Sequence, residues 1–290
     1  MSNGSTKNLN KSTNFVPISQ FSCFLVDNGS LRPAPTLNLR IVANQLGGQL
    51  GIPVHPVSLL HSSKVDLAKL GGVQANLLNE SLKLSLRFPE PNHILILPMF
   101  FGPSRAITEY IPQVVDQIKG EGGSVDIRIA NCLVQRDDDS AKLIAQALLE
   151  RIQQVATNIP ASESIPQVVL VDHGSAVKGV LQAREFVSNE LENLLEDDFS
   201  YAGQCSMENP KGAEKYSNLL LEELLASFSL DTPVILSQMF FANGRHAGAD
   251  GDIATICRAS GHEKVFQTEP LLEHSLLVEL LKRRALEAIA

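Results

Sequence analysis

The chain alternates short apolar runs with longer amphipathic segments, and this alternation predicts its secondary structure. In the N-terminal half, short runs rich in β-branched residues predict strands at residues 21–26, 54–60, 94–100 and 125–133. Between these runs, apolar residues recur three and four positions apart and predict helices at residues 37–50, 65–84, 107–119 and 141–155. Strands that alternate with helices favour a parallel sheet with helices on both faces.

The C-terminal half shows the same order. Strands are predicted at residues 167–171, 199–207 and 234–240 and near Val265, and helices at residues 179–195, 212–228, 253–259 and 271–288. Residues 157–166 carry two prolines and small polar residues, which indicate a linker with a boundary near Pro160. We therefore expect an α/β protein with two lobes, residues 20–160 and 161–290, after a disordered tail at residues 1–19.

Two sequence blocks occur once in each half and indicate that the lobes arose by internal duplication. Residues 25–30 read LVDNGS and residues 170–175 read LVDHGS, while residues 99–106 read MFFGPSRA and residues 239–246 read MFFANGRH. In both pairs the second copy carries a histidine that the first copy lacks. These residues, His173 and His246, follow predicted strands on the side where parallel sheets bind ligands. The C-terminal lobe is therefore predicted to carry the site.

The residues around the two histidines favour metal or acid–base chemistry. Two neutral imidazoles could bind a divalent transition metal, or one could bind the metal while the other accepts a proton. Gly174 permits a sharp turn, and its amide together with Ser175 could hold an anionic group. Arg245 would lower the pKa of His246 if the two side chains approach, because like charges disfavour the imidazolium.

Composition excludes several classes of partner. The net charge is −8 and there is no dense run of lysine or arginine, so neither nucleic acid nor an anionic membrane surface is expected to bind. No apolar run is long enough to cross a bilayer, and four cysteines without a C-x-x-C pair fit a reducing cytoplasm. No Walker-type loop is present, so no nucleotide is expected. Both a monomer and a homodimer are compatible with the sequence.

The motifs resemble those of the class II chelatases, in particular the sirohydrochlorin cobalt- and iron-chelatases. Residues 170–175 are similar to a strand-end block of that family, in which aliphatic residues precede x-His-Gly-Ser. Residues 240–246 are similar to its Phe-Leu-x-x-Gly-x-His block, and Asp252 and Ile253 stand where the family has Asp-Ile-Pro. The resemblance covers nearly the whole chain after Gln20, and it implies two similar chelatase-like lobes that face a cleft.

The resemblance also implies an activity, the insertion of Co²⁺ or Fe²⁺ into sirohydrochlorin or a related tetrapyrrole in cobalamin or siroheme biosynthesis. Ni²⁺ and Zn²⁺ suit the same ligands. It implies that His173 and His246 bind the metal substrate or take the pyrrole protons, and that Glu208, which follows the second strand of its lobe, assists them. Donors for the carboxylates of the substrate would come from Gly174, Ser175, Lys178, Arg184 and Arg245.

The chain departs from the family pattern at two places. Residues 247–251 lengthen the spacing between His246 and Asp252, and Ala254 replaces the proline, so a different cleft shape is expected. In the first lobe Ala106 and Tyr110 replace the histidine and the aspartate, so that lobe is expected to have lost its ligands. Two alternatives stay open, a non-catalytic carrier of tetrapyrrole or metal and a chelatase-like enzyme with another macrocycle or reaction.

Overall fold

The first half of the chain forms a five-stranded parallel sheet. The computed structural model describes residues 16–87, 93–120, 125–160, 164–212, 216 and 219–290. Within them the first sheet has the strand order β3-β2-β1-β4-β5. Its strands are β1 (Phe21–Asp27), β2 (Val54–Ser58), β3 (Asn76–Leu77), β4 (His93–Pro98) and β5 (Asp126–Ile129). Strands β1 and β4 lie inside the sheet and are covered on both faces, which is why their sequences are almost continuously apolar.

The second half forms a four-stranded parallel sheet in the order β7-β6-β8-β9. Its strands are β6 (Gln167–Asp172), β7 (Ser200–Ser206), β8 (Val234–Gln238) and β9 (Val265–Gln267). Both predicted sheets are thus confirmed as parallel. In each sheet the first strand of its half is central, so the chain changes direction beside β1 and β6, and the carboxyl ends of these strands lie at a crevice suited to ligands.

Eight α-helices in the described ranges cover the sheets. They are α1 (Pro33–Leu50), α2 (Leu78–Ser85), α3 (Ile111–Gly120), α4 (Ser140–Ala156), α5 (Lys178–Leu194), α6 (Leu221–Ala226), α7 (Asp252–Ala259) and α8 (Ser275–Ile289). Helices α2 and α3 cover one face of the first sheet, and α6 and α7 cover one face of the second. The remaining helices contribute to a larger apolar core that continues from one sheet to the other.

Two helices pack against the sheet of the opposite half. Helix α4 contacts β8 and α5, whereas α8 contacts β4, β5 and α1. Arg284 of α8 is 1 % exposed; it donates hydrogen bonds to the carbonyl of Leu133 and forms an ion pair with Asp138 at 2.6 Å. This exchange joins the halves through buried contacts. The lobe boundary near Pro160 stays a prediction.

The helix predicted at residues 65–84 is wrong. The segment instead contains a 3₁₀ turn at Leu67–Leu70, strand β3 and the shorter helix α2. Gly71 and Gly72 adopt left-handed backbone angles, with φ of 69° and 79°, and this pair ends the first turn where the apolar spacing alone favours a continuous helix.

Other predictions fall partly outside the described residues. Of the helix predicted at residues 212–228, the structure shows α6, and residues 213–215, 217 and 218 lie outside the described ranges. Residues 1–15 of the predicted tail and 161–163 of the predicted linker also lie outside them. Within the described part of the chain, the longest apolar helix is too short or too polar to cross a bilayer.

Candidate active site

His173 and His246 lie together in a cleft between the two halves. The cleft has a volume of about 790 Å³ and is bordered by the loops that follow β1, β2, β4, β6 and β8. His173 comes directly after β6, and His246 follows β8, its neighbour in the sheet. Their ring centroids are 4.6 Å apart with an interplanar angle of 74°. The fold therefore brings together the two histidines that the sequence singled out.

Glu208 is placed beside His173 by the loop that follows β7. The Glu208 amide donates to the His173 carbonyl at 3.3 Å, and Glu208 Oε1 lies 3.2 Å from His173 Nε2. Gly174 makes this approach feasible because its φ is +95° and a Cβ atom there would lie 2.1 Å from the Glu208 carbonyl oxygen. His173 and Glu208 thus form an imidazole–carboxylate pair whose side chains are about half exposed, with His173 bordering the cleft.

A buried ion pair lies directly before His173 in the chain and fixes the end of β6. Asp172 accepts hydrogen bonds from Arg184 Nη1 at 2.7 Å, from Ser206 Oγ at 2.8 Å and from the Gly174 amide at 3.0 Å. Arg184 also donates to Gln204 at 2.7 Å. The guanidinium of Arg184 is therefore engaged in the interior, so the expectation that it binds a carboxylate of the substrate is wrong.

His246 is oriented by Asp252. His246 Nδ1 lies 2.8 Å from Asp252 Oδ2, so the protonated Nδ1 donates to the carboxylate and Nε2 carries the free lone pair. Burial lowers the pKa of His246, and the neighbouring His173 lowers it further, whereas the hydrogen bond with Asp252 acts against this fall. Arg245 also lowers the pKa, as expected from the sequence. The lowered pKa favours the neutral imidazole at pH 7, which is the form in which histidine binds metals.

The five residues between His246 and Asp252 form a closed loop. The Asp252 amide donates to the Arg245 carbonyl at 3.0 Å, and the Ile253 amide donates to the His246 carbonyl at 3.1 Å. Gly251 is needed at this position because a Cβ atom there would lie 2.4 Å from the His246 carbonyl oxygen. The longer spacing therefore still returns Asp252 to His246.

The predicted donors for substrate carboxylates occupy different places. Arg245 borders the cleft, is largely exposed and lies 3.5 Å from Asp252. The Ser175 hydroxyl accepts a hydrogen bond from the Val177 amide at 3.0 Å and helps the chain enter α5. Lys178 is the first residue of α5 and is exposed, but it is not among the described residues that border the cleft.

The first lobe repeats the backbone of the site with other side chains. The Leu59 amide donates to the Asp27 carbonyl at 2.9 Å and the Leu60 amide donates to the Asn28 carbonyl at 3.2 Å, as the Met207 and Glu208 amides do for Asp172 and His173. Asn28 therefore stands at the position of His173, and Leu60 at the position of Glu208.

Asp27 has no counterpart of the buried arginine. Arg184 lies twelve residues after Asp172, and the residue twelve positions after Asp27 is the buried Leu39. Within the described residues no cation forms an ion pair with Asp27, and its Oδ1 atom is buried without a hydrogen-bond partner. Burial raises the pKa of Asp27 to about 6, although the Ser58 hydroxyl and the Gly29 amide lower it.

His61 borders the cleft from the first lobe, and sequence reasoning assigned it no role. Its backbone has φ of 65° and ψ of −39°, and the Ser62 amide donates to the Leu60 carbonyl at 2.8 Å across it. This is a strained three-residue turn for a residue with a side chain. The signal in the sequence was its place directly after Leu60, the counterpart of Glu208.

Aromatic stacking joins the two lobes at the floor of the cleft. Phe101 and Phe241 hold equivalent places in the repeated blocks, and their rings stack at 4.0 Å with an interplanar angle of 10°. Asn38 of α1 donates to the Phe241 carbonyl at 3.2 Å. These contacts fix the position of the strand-end loops of one lobe against those of the other.

The histidines and carboxylates of the site do not form a preassembled metal site. Within the described ranges, no three His, Cys, Asp or Glu side chains already converge on a common point. The two imidazoles line an open cleft instead, with Glu208 in contact with His173, an arrangement suited to an ion that is held loosely and passed on.

Comparison with solved structures relates this fold to the chelatases. SirB from Bacillus subtilis with Fe³⁺ superposes with a TM-score of 0.68 at 13 % identity, over 93 % of this chain and 96 % of that one. SirB from the subspecies spizizenii in complex with cobalt, a sirohydrochlorin chelatase, gives 0.64 at 12 % identity over 92 % and 94 %. CbiX, the terminal enzyme for biosynthesis of siroheme in denitrifying bacteria, gives 0.57 at 11 % identity over 93 % and 99 %.

These similarities define the class of fold. No protein-family model matches the sequence. No curated protein matches it either. The structural matches nevertheless cover almost the whole of both chains, so the protein has the class II tetrapyrrole chelatase fold, with two chelatase-like lobes facing a cleft.

Proposed function

We propose that this protein is a metal chelatase that inserts a divalent metal, Co²⁺ or Fe²⁺, into sirohydrochlorin or a related tetrapyrrole. The observation that carries the proposal is the pair of imidazoles, His173 and His246, in a cleft between two lobes, with Glu208 in contact with His173. A base and a weakly held metal in one place are what metal insertion requires, because two pyrrole N–H bonds must break as the ion enters.

The hydrogen bonds of the two histidines indicate a different role for each, metal binding for His246 and proton acceptance for His173. Asp252 holds the Nδ1 proton of His246, so His246 Nε2 offers its lone pair to the incoming ion. His173 contacts the Gly174 carbonyl through Nδ1 and Glu208 through Nε2, which makes the His173–Glu208 pair the proton acceptor. One pyrrole proton passes to this pair and the second leaves to water in the open cleft, while the two freed nitrogen lone pairs bind the metal.

The surroundings of the site suit a flat anionic substrate. Phe240 and Phe241 give the cleft apolar surface on which a conjugated ring can lie. Arg245 and the amide of Ser175 supply donors for carboxylates, and Lys178 extends them along the start of α5, whereas the Gly174 amide already donates to Asp172. We place the reaction in the route to cobalamin or siroheme, in the cytoplasm. Because both walls of the cleft come from one chain, a monomer can bind the substrate.

The proposal is tested by the absorbance of the pigment. Purified protein is mixed anaerobically with sirohydrochlorin and Co²⁺, and the loss of the free pigment band is followed against a protein-free control. Acceleration of insertion supports a chelatase. Stoichiometric binding of pigment without acceleration identifies the protein as a carrier and contradicts the proposal, and the absence of both effects with sirohydrochlorin requires another macrocycle.

A further inference from the structure

The first lobe carries a metal-binding group that faces the proposed site. Asn28 and Leu60 stand where the second lobe has His173 and Glu208, yet His61 brings an imidazole to the same cleft from one position further along the chain. His61 is exposed, and it borders the cleft that His173 and His246 border from the opposite wall. Three imidazoles thus share one cleft, two from one lobe and one from the other.

The turn that carries His61 is strained, and hydrogen bonds of the residues before and after His61 hold it in place. Glycine adopts φ of +65° without penalty, whereas a β-carbon makes such a turn unfavourable by about 1–3 kcal/mol. On one side the Leu60 amide is bonded to Asn28, and on the other the Ser62 hydroxyl accepts from the Ser30 amide at 3.1 Å. A histidine stands at a position where glycine would relieve the backbone strain.

The same wall of the cleft carries the carboxylate of Asp27 as well as the exposed guanidinium of Arg32. Asp27 ends the strand next to the one that precedes His61, borders the cleft and lacks the buried arginine that neutralises Asp172. An uncompensated carboxylate in a low-dielectric wall attracts a dication more strongly than one exposed to water. The structure therefore places an imidazole, a favoured ligand of Co²⁺, Ni²⁺ and Zn²⁺, in the same wall as a carboxylate that has no ion-pair partner among the described residues.

We propose that His61 is a capture ligand for the divalent metal ion, which it binds at the wall of the first lobe and passes across the cleft to His246. The inference rests on the proposed function, since it assigns the place where the metal substrate is first held. Imidazole binds the ion through a lone pair, so the transfer exchanges one neutral ligand for another and needs no proton or redox step.

The test separates capture of the metal from the chemistry that follows. His61→Asn removes the imidazole but tolerates a left-handed backbone, and His61→Gly removes both the imidazole and the strain. His55→Asn is the matched control, because His55 is an exposed histidine of the same lobe on β2, outside the residues that border the cleft. Metal binding is measured by titrating Co²⁺ into pigment-free protein, and insertion is measured as a function of Co²⁺ at saturating pigment.

We expect both His61 variants to raise the half-saturating Co²⁺ concentration by about tenfold or more, since even groups that only orient a ligand change metal affinity by about 10–100-fold. The maximal insertion rate should stay within twofold, and His55→Asn should match wild type. Equal Co²⁺ dependence in wild type and both His61 variants overturns the inference. If wild type inserts no metal, the proposed function fails, and the pigment-free titration still decides whether His61 binds the ion.

Discussion

The aspartate at the end of the first strand of each half has an ion-pair partner in one half and, among the described residues, none in the other, and this predicts opposite effects of the same substitution. Asp172 is neutralised by Arg184, whereas Leu39 holds the equivalent position in the first half and no cation among the described residues forms an ion pair with Asp27. Replacing each aspartate by asparagine removes one negative charge at equivalent strand ends with little change in volume. Asp27→Asn should stabilise the protein at alkaline pH, and Asp172→Asn should destabilise it.

The magnitude follows from the pKa of Asp27, which burial raises from 3.8 to about 6. The unfolded chain ionises near pH 4, so between pH 4 and 6 the folded state binds more protons and stability falls as the pH rises. At roughly 1.4 kcal/mol per pKa unit, the ionised carboxylate destabilises the fold by about 3 kcal/mol at pH 8. An asparagine amide left partly unsatisfied forfeits about 1 kcal/mol, which leaves a net gain of about 2 kcal/mol for the variant.

The assay is urea unfolding of wild type and both variants at pH 8 and pH 4.5. At pH 4.5 the folded carboxyl of Asp27 is protonated, so the gain from Asp27→Asn should shrink by about 2 kcal/mol, to nearly zero. Asp172→Asn leaves Arg184 buried without its anion and should destabilise the protein by about 3–5 kcal/mol at pH 8. A destabilising Asp27→Asn at pH 8, or an effect independent of pH, would refute the assignment of Asp27 as an uncompensated charge.

Two further predictions concern the site. Gly174→Ala should lower the free energy of unfolding by about 1–3 kcal/mol and weaken the His173–Glu208 contact, because the new Cβ would meet the Glu208 carbonyl. The control is Gly48→Ala in α1, where a Cβ would meet nothing within 4 Å. In the same denaturation assay this variant should be neutral or stabilising. By NMR titration, His246 should show a pKa below the usual value of about 6.5. This pKa should fall further in Asp252→Asn and rise in His173→Ala, and a pKa that neither substitution changes would contradict the geometry.

Much of this fold follows from local pattern. Most of the parallel strands and the long helices appear near their predicted positions because periodicity and turn residues act over short distances. The helix predicted at residues 65–84 is interrupted in the structure by the pair Gly71 and Gly72, which ends the 3₁₀ turn at Leu67–Leu70. The packing of α4 and α8 against the opposite sheets lay beyond any local signal, since it depends on which apolar faces meet in three dimensions.

The site was predictable where the chain repeats itself. The two histidines stood out because each replaces another residue in a repeated block, and the carboxyl ends of β6 and β8, neighbours in the sheet, bring them together. Arg184 was misjudged because a charged residue in an amphipathic helix gives no sign of whether it turns inward to a buried aspartate. The contributions of Asp27 and His61 emerged only when the backbone of the first lobe was matched to that of the second.

The most direct test of the central claim is the rate of Co²⁺ insertion into sirohydrochlorin by wild type, His173→Ala, His246→Ala and the double variant, with His55→Asn as control. If the two imidazoles act as one site, each single variant should lose nearly all of the acceleration over the protein-free rate, and the double variant should lose little more. Full acceleration in either single variant, with pigment binding intact, would contradict the account.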